Sequence, residues 1–148
     1  MAVDVVTEVE IARPRPEVAA YACDPGNATR WYANIESVEW ETPPPVAVGS
    51  RAAFVAHFLG RRLAYTYEVR EHVPGERFVM STVQGPFPME TTYAFEDAGA
   101  GTRMTLRNRG EPAGFAKVGA PLMERAMRRA NKADLRRIKD ILERPPGS

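Results

Sequence analysis

The feature that most constrains the fold is a run of five strand-like segments that occupies most of residues 51–109. The segments cover residues 51–59, 62–73, 76–83, 87–97 and 102–109. The residues between them, Gly60-Arg61, Pro74-Gly75, Gly85-Pro86 and the stretch 98–101, have the glycine and proline content of tight turns. Strands joined by tight turns pair in antiparallel fashion. The run therefore predicts an antiparallel meander.

The region before the meander predicts one strand, two short helices and a further strand. Residues 3–11 alternate between apolar or β-branched residues and mostly acidic ones, which is typical of a half-buried strand. Pro16 suits the first turn of a helix that continues over residues 17–22, because proline lacks the N–H that has no partner there. Residues 24–27, with Pro25 and Gly26, end this helix. A second short helix is expected over residues 28–32 and a strand over residues 35–41.

The region after the meander predicts one long helix over residues 114–143. Apolar residues recur there near helical spacing, and arginine and lysine occupy much of the opposite face. The apolar set is Met123, Met127, Ala130, Leu135, Ile138 and Leu142. Residues 145–148 are expected to form a disordered tail, and neither a repeat nor a linker divides the chain. We expect a single domain over residues 1–144.

Composition excludes several classes of function. An apolar fraction of 44%, a charged fraction of 26% and a net charge of +1 are ordinary for a globular protein, so global charge indicates no particular partner. No apolar run is long enough to span a bilayer and the N-terminus lacks a targeting pattern, which predicts a cytoplasmic protein. The single cysteine, Cys23, and two scattered histidines provide no metal-ligand spacing. We expect no metal, no cofactor and no DNA partner.

The order of these elements carries several local motifs of one superfamily. They are Pro16-Glu17-Val18 at the first helix, Asp24-Pro25 after it, Trp31, Gly60-Arg61-Arg62 in the first hairpin, and the pattern over residues 131–139. Together they resemble the SRPBCC (START-like) superfamily, in particular its polyketide cyclase/dehydrase and lipid-transport branch. The resemblance implies an α+β helix-grip fold, in which a curved antiparallel sheet of about seven strands wraps around the long C-terminal helix. It also implies two short helices after strand 1 and a cavity between helix and sheet.

Strand parity identifies the residues expected to face this cavity, since residues opposite each other in an antiparallel pair share a face. A two-residue turn at Gly60-Arg61 would pair Phe58 with Leu63. Across the next turn, Tyr67 lies opposite Thr82. The expected lining is Phe54, Phe58, Tyr65, Tyr67, Met80, Thr82, Met89, Thr91, Tyr93, Met104 and Leu106 from the sheet, Phe115, Leu122 and Met123 from the helix, and Tyr32 near the mouth. The same pattern also fits a filled core.

The residues offer few groups for catalysis. His57 falls on the outward face and His72 lies beside a turn, and Glu71, expected opposite Phe78, is the only acidic residue of the inward parity. The inner phenols Tyr65, Tyr67 and Tyr93 are weak catalytic candidates, because a phenol with a pKa near 10 needs a neighbour before it acts as a base. We therefore favour a carrier or sensor of a small hydrophobic ligand of polyketide, lipid or isoprenoid type. A polyketide cyclase/dehydratase-like enzyme is the alternative.

A further alternative rests on the basic C-terminal helix. Residues 124–144 carry eight cationic and four acidic residues, a local excess of four positive charges. Such a face is usually only solvated, but it also fits association with a ribosome or an anionic membrane. The aromatic residues typical of single-strand binding are absent from this stretch. The sequence leaves open whether the protein is a monomer or a homodimer.

Overall fold

The computed structural model describes residues 2–111 and 119–144. A seven-stranded antiparallel sheet curls into a half-barrel around one long helix, so the predicted α+β helix-grip fold is confirmed. The elements are β1 (Val3–Ile11), α1 (Arg15–Ala22), a 3₁₀ turn (Pro25–Asn27), α2 (Ala28–Trp31), β2 (Ile35–Trp40), β3 (Arg51–Phe58), β4 (Arg61–Val73), β5 (Arg77–Gln84), β6 (Met89–Ala98), β7 (Gly101–Gly110) and α3 (Ala120–Glu143).

The sheet has the strand order β1-β7-β6-β5-β4-β3-β2. The meander β2 to β7 runs between neighbours, and β1 joins it at the far side by pairing with β7 from Val3 opposite Gly110 to Ile11 opposite Thr102. The helices α1 and α2 fill the connection from β1 to β2, which are the two edges of the sheet. Within the described residues no helix is long and apolar enough to cross a membrane.

The turn of the first hairpin in the meander lies one residue earlier than predicted, so the pairing of its two strands is shifted by two residues. Leu59 and Gly60 have φ angles of 48° and 78°, the left-handed values of the two-residue turn that suits hairpin twist. Leu63 therefore lies opposite Ala56 rather than Phe58, and Tyr65 lies opposite Phe54. A shift of two residues keeps every side chain on its predicted face.

The second hairpin contains a register shift that alternation did not predict. Tyr67 lies opposite Thr82 as expected, but the register shifts between Val69 and Glu71. A bulge inserts an extra residue and reverses the faces beyond it. His72, not Glu71, consequently lies opposite Phe78, and their rings meet edge-on with centroids 5.5 Å apart. Glu71 is exposed and paired with Arg77 at 3.2 Å, so the inward parity expected for it was wrong.

The long helix begins later than predicted. Gly119 has a φ of 84°, which is outside the helical region, and proline follows in the first turn of α3. The described helix therefore begins at Ala120, and residues 114–118 of the predicted helix lie outside the described residues. One stripe of α3 is buried, namely Met123, Met127, Asn131, Asp134, Leu135 and Ile138. Leu122 precedes this stripe by about 100° of helical rotation and is 58% exposed, so its predicted inward position was wrong.

The packed core lies under the C-terminal half of α3. Trp31, Leu135 and Ile138 are almost completely buried there, together with Met104 and Leu106 of β7. Each such side chain contributes about 1.5–3 kcal/mol by leaving water. Trp31 packs its ring 4.1 Å from Tyr32 and 5.6 Å from Tyr93, so the indole is part of this core.

Candidate functional site

A cavity of about 140 Å³ lies between the N-terminal half of α3 and the concave face of the sheet. Several of its wall residues are only half-buried although they point inward, among them Tyr65, Tyr67 and Met89. Their accessible surface therefore faces the cavity. The curved sheet leaves this space because a straight helix cannot follow its full curvature.

The structure brings most of the predicted lining residues together around this cavity. Those that border it are Tyr32, Phe54, Phe58, Tyr65, Tyr67, Met80, Thr82, Met89, Thr91, Tyr93 and Met123. Met104 and Leu106 do not, because both are completely buried in the packed core. Leu122 points to solvent, and Phe115 lies outside the described residues.

Aromatic rings and thioethers form most of the wall. Phe54 stacks on Tyr65 with ring centroids 5.6 Å apart, and Tyr67 meets Tyr65 edge-on at 5.1 Å. These geometries are the favourable ones for aromatic pairs and hold the rings in fixed positions. Met80 and Met127 add flexible side chains that adapt to the shape of an apolar guest.

The hydroxyls on the sheet side form a directed chain of hydrogen bonds. The Thr91 hydroxyl donates to Asn108 Oδ1 at 2.6 Å. Its single proton is thereby used, so the Tyr67 hydroxyl, 2.8 Å from Thr91 Oγ1, must be the donor to it. Burial raises the pKa of Tyr67 to about 12. Tyr67 therefore retains an oxygen lone pair toward the cavity and has no proton to give a ligand.

Two further phenols share a hydrogen bond. The hydroxyls of Tyr32 and Tyr93 lie 2.7 Å apart. Burial raises the pKa of both phenols well above the ordinary value. Both remain protonated near neutral pH, and one of the two protons is used within the pair. Neither phenol is a base in this state.

Tyr65 differs from the other inner phenols. Among the described residues its hydroxyl makes no hydrogen bond, while its ring is held by Phe54 and Tyr67. Burial raises the pKa of Tyr65, so the hydroxyl keeps its proton. It is consequently a positioned hydrogen-bond donor that faces an apolar cavity.

The helix side of the cavity carries two polar side chains that the sequence analysis did not select. Asn131 is 6% exposed and its Nδ2 has no hydrogen-bond partner among the described residues. Asp134 is 3% exposed, and its Oδ1 accepts a hydrogen bond of 3.0 Å from the backbone N–H of Ala33. Burial raises the pKa of the Asp134 carboxyl to about 6. The buried acidic residue at the cavity is therefore Asp134 rather than Glu71, the one expected on the inward face.

Sequence signals for these missed residues exist in hindsight. Asn108 follows Leu106 by two residues and so shares its face of β7. Asn131 and Asp134 follow Met127 by four and seven residues, which is the spacing of the apolar stripe of α3. A polar residue on such a stripe is the signal of a buried polar group. Asp134, one of the four acidic residues counted on the helix, is thus buried rather than solvated.

The remaining nucleophilic and basic groups do not form a reactive centre. Burial raises the pKa of the Cys23 thiol to about 12, so the thiol stays protonated. His57 is exposed and 3.1 Å from Glu36, as its outward parity predicted. Within residues 2–111 and 119–144, no three histidine, cysteine or acidic residues come together as a metal site.

A second concavity of about 700 Å³ lies on the outside of the molecule, between α1 and the proline-rich loop before β3. Its walls include Trp40, His72 and four prolines. Arg15, its main cation, is already held by Asp97 at 3.2 Å and by the carbonyl of Gly75 at 3.2 Å. The positive charge of Arg15 is therefore already neutralised within the fold and is not free to bind a ligand in this groove.

Comparison with known proteins agrees with this architecture. Residues 2–143 match the family described as polyketide cyclase / dehydrase and lipid transport, and the chain belongs to that family. No curated protein matches the chain in sequence.

Several solved structures share the fold. The protein TTHA0849 from Thermus thermophilus superposes with a TM-score of 0.80 at 22% identity, covering 94% of this chain and 96% of that one. A START superfamily protein from Mycobacterium smegmatis gives 0.80 at 14% identity, covering 95% and 97%. The ZhuI aromatase/cyclase from Streptomyces sp. R1128 gives 0.79 at 17% identity, covering 100% and 99%. At these identities the likeness concerns the fold.

Proposed function

We propose that this protein binds one small hydrophobic molecule of polyketide, lipid or isoprenoid type in the cavity and acts as its carrier or sensor. The observation that carries the proposal is an aromatic and Met-rich wall with two donors, Tyr65 Oη and Asn131 Nδ2, that have no partner among the described residues. Ligand pockets are typically apolar cavities with a few polar groups that fix orientation. Membership of a family described by cyclases and lipid transport supports the same proposal.

The dimensions of the cavity narrow the proposed ligand. Pockets for drug-sized ligands occupy about 300–1,000 Å³, whereas this cavity has about 140 Å³. A compact ligand of one or two rings, or a short isoprenoid, suits this space better than a long acyl chain. One carbonyl on such a ligand would accept a hydrogen bond from Tyr65, because a protonated phenol without a partner gains most from an acceptor.

The first test is identification of the bound molecule. The purified protein is incubated with cell extract, washed, and analysed by native and then denaturing mass spectrometry. We expect a stoichiometric apolar compound. The matched variants Ala130→Leu, which fills the cavity, and Ala133→Leu, which is exposed on the same helix, separate cavity binding from surface adsorption. Retention of the compound by Ala130→Leu, or a clean protein in every preparation, would argue against the proposal.

A cyclase or dehydratase is the second candidate, and Asp134 favours it. A carboxyl group with a pKa raised to about 6 in an apolar cavity is a plausible proton acceptor near neutral pH. In such a reaction the carboxylate would remove a proton from the carbon next to a ligand carbonyl, and Tyr65 would hydrogen-bond the resulting enolate oxygen. If the identified ligand emerges altered, Asp134→Asn should abolish turnover while ligand binding persists. Unchanged turnover would exclude this role of Asp134.

Tyr65→Phe tests the orienting role of the free phenol in either function. We expect ligand affinity to fall by about 5–12-fold, because one unshared hydrogen bond contributes about 1–1.5 kcal/mol. Tyr67→Phe is the matched control, since that proton already serves Thr91. The measurement is titration with the compound identified by mass spectrometry. Equal losses for both variants would contradict the assignment.

A further inference from the structure

The outer face of α3 carries six exposed cationic side chains that have no ion-pair partner among the described residues. They are Arg125, Arg128, Arg129, Lys132, Arg136 and Arg137, referred to below as the cationic strip. Lys139, in contrast, pairs with Glu143 at 2.6 Å. Nine arginines outside α3 lie in ion pairs, namely Arg13, Arg15, Arg51, Arg62, Arg70, Arg77, Arg103, Arg107 and Arg109. Most arginines of the other elements are thus paired within the fold, whereas the cations of the strip are not.

The acidic residues of α3 do not interrupt the strip. Glu124 accepts a hydrogen bond of 2.9 Å from the backbone N–H of Asp4, Asp134 is buried at the cavity, and Asp140 lies beyond the last cation. At 1.5 Å per residue, the strip extends about 18 Å along the helix. It therefore presents a continuous positive surface to any anionic partner.

Two exposed apolar side chains adjoin residues of the cavity wall, and one of them, Leu122, lies at the N-terminal end of α3. Leu122 is 58% exposed and precedes Met123, which borders the cavity. Leu59 is 49% exposed in the β3–β4 turn and follows Phe58, which packs against the cluster that contains Met123. Transfer of an exposed apolar side chain from water into a lipid environment is favourable. The phosphodiester backbone of a nucleic acid offers no apolar environment for such side chains.

We propose that the cationic strip docks this protein on an anionic lipid bilayer, with Leu122 entering the interfacial layer. Each cation near an anionic bilayer strengthens binding by about fivefold. A nucleic acid fits less well, because α3 has no aromatic side chain on which a base could stack. This interaction is independent of cavity binding, so either proposal can fail alone.

The test is co-sedimentation of the full chain with vesicles of phosphatidylserine and phosphatidylcholine in equal parts. We expect binding that disappears on pure phosphatidylcholine and at high salt. The triple variant Arg125→Gln/Arg129→Gln/Arg136→Gln should lose about 100-fold in affinity. The control triple Arg70→Gln/Arg77→Gln/Arg103→Gln removes the same net charge from other elements and should lose less than about threefold. Thermal unfolding verifies that both variants are folded.

Three results would overturn the proposal. Equal losses in the two triples would mean that net charge alone, rather than the strip, governs binding. Binding to pure phosphatidylcholine vesicles as tight as to anionic vesicles would mean that the cations do not contribute to membrane binding. Tighter binding to a fluorescent oligouridylate than to anionic vesicles, lost in the helix triple, would assign the strip to nucleic acid. Leu122→Asn, with the cations intact, should weaken vesicle binding severalfold and leave oligouridylate binding unchanged.

Discussion

The two halves of α3 face the same sheet but pack against it differently. The C-terminal half buries Leu135 and Ile138 almost completely in the cluster around Trp31, while the N-terminal half presents Met127, Asn131 and other residues to the cavity. Branched side chains and an indole fill one end of the space under the helix. Unbranched Met and small Ala side chains leave the other end open. Stability and ligand binding are therefore separated along one helix.

This comparison also explains where polar groups are left without partners. On the sheet side of the cavity, the hydroxyls of Tyr67 and Thr91 satisfy one another and Asn108. On the helix side, Asn131 Nδ2 has no partner among the described residues. A helix backbone uses its own N–H and C=O groups internally, so a lone amide on its buried face depends on neighbouring side chains or a ligand. Each wall therefore offers a ligand one donor, Tyr65 Oη from the sheet and Asn131 Nδ2 from the helix.

The largest expected effect comes from truncating the two halves of α3 in turn. Ile138→Ala should lower the free energy of unfolding by about 4 kcal/mol, since it opens a void in a closely packed region. Met127→Ala should cost only about 2 kcal/mol, because its side chain already borders a cavity. Denaturant unfolding of both variants measures the difference. Equal costs would mean that the N-terminal half is as well packed as the C-terminal half.

The hydroxyl chain on the sheet gives the next largest effect. Thr91→Val removes the group that accepts from Tyr67 and donates to Asn108, so it leaves both without a partner at the cavity wall. We expect a loss of about 2 kcal/mol in the free energy of unfolding. Thr92→Val is the control, because Thr92 is buried on the other face and makes no side-chain hydrogen bond among the described residues. A similar loss of stability in Thr92→Val would contradict the proposed contribution of the Tyr67–Thr91–Asn108 hydrogen bonds.

Asp134, at the boundary between the two halves, should make stability depend on pH. Burial raises the pKa of its carboxyl from 3.8 to about 6, so the folded protein holds a proton that the unfolded chain has already released. Stability therefore falls as the pH rises from about 4 to about 6, and the penalty persists above that range. Asp134→Asn removes the ionisation, and its stability advantage should grow by about 2 kcal/mol between pH 4 and pH 7.

The measurement for Asp134 is chemical denaturation at several pH values. Asp140→Asn, on the exposed side of the same helix, controls for the loss of one negative charge. A stability difference for Asp134→Asn that stays constant over this pH range would contradict the raised pKa. A difference that reverses its sign would mean that the ionised carboxylate is stabilised by a partner in the fold.

The strands of the meander, their order and their faces could be predicted because period-two alternation and turn residues act locally, whereas no local signal indicated that β1 pairs with β7. Even the turn at Leu59, which lies one residue earlier than predicted, left the faces intact, since the pairing shifted by two residues. The bulge near Glu71 could not be predicted, because it adds a residue without altering the local pattern of polarity. Asn131 and Asp134 were missed because a polar residue in a helix suggests a solvated face, whereas their spacing from Met127 places them on the buried stripe.

The smallest expected effect has the opposite sign and tests the helix wall most directly. Asn131→Leu replaces an unpartnered buried amide by an apolar side chain of similar size. The desolvation penalty of that amide disappears, so the free energy of unfolding should rise by about 1 kcal/mol. Ligand affinity should fall at the same time, because the donor is lost. A polar-to-apolar exchange would then destabilise the protein at Thr91 in the sheet wall and stabilise it at Asn131 in the helix wall. A loss of stability at both positions would instead mean that Asn131 has a partner within the protein.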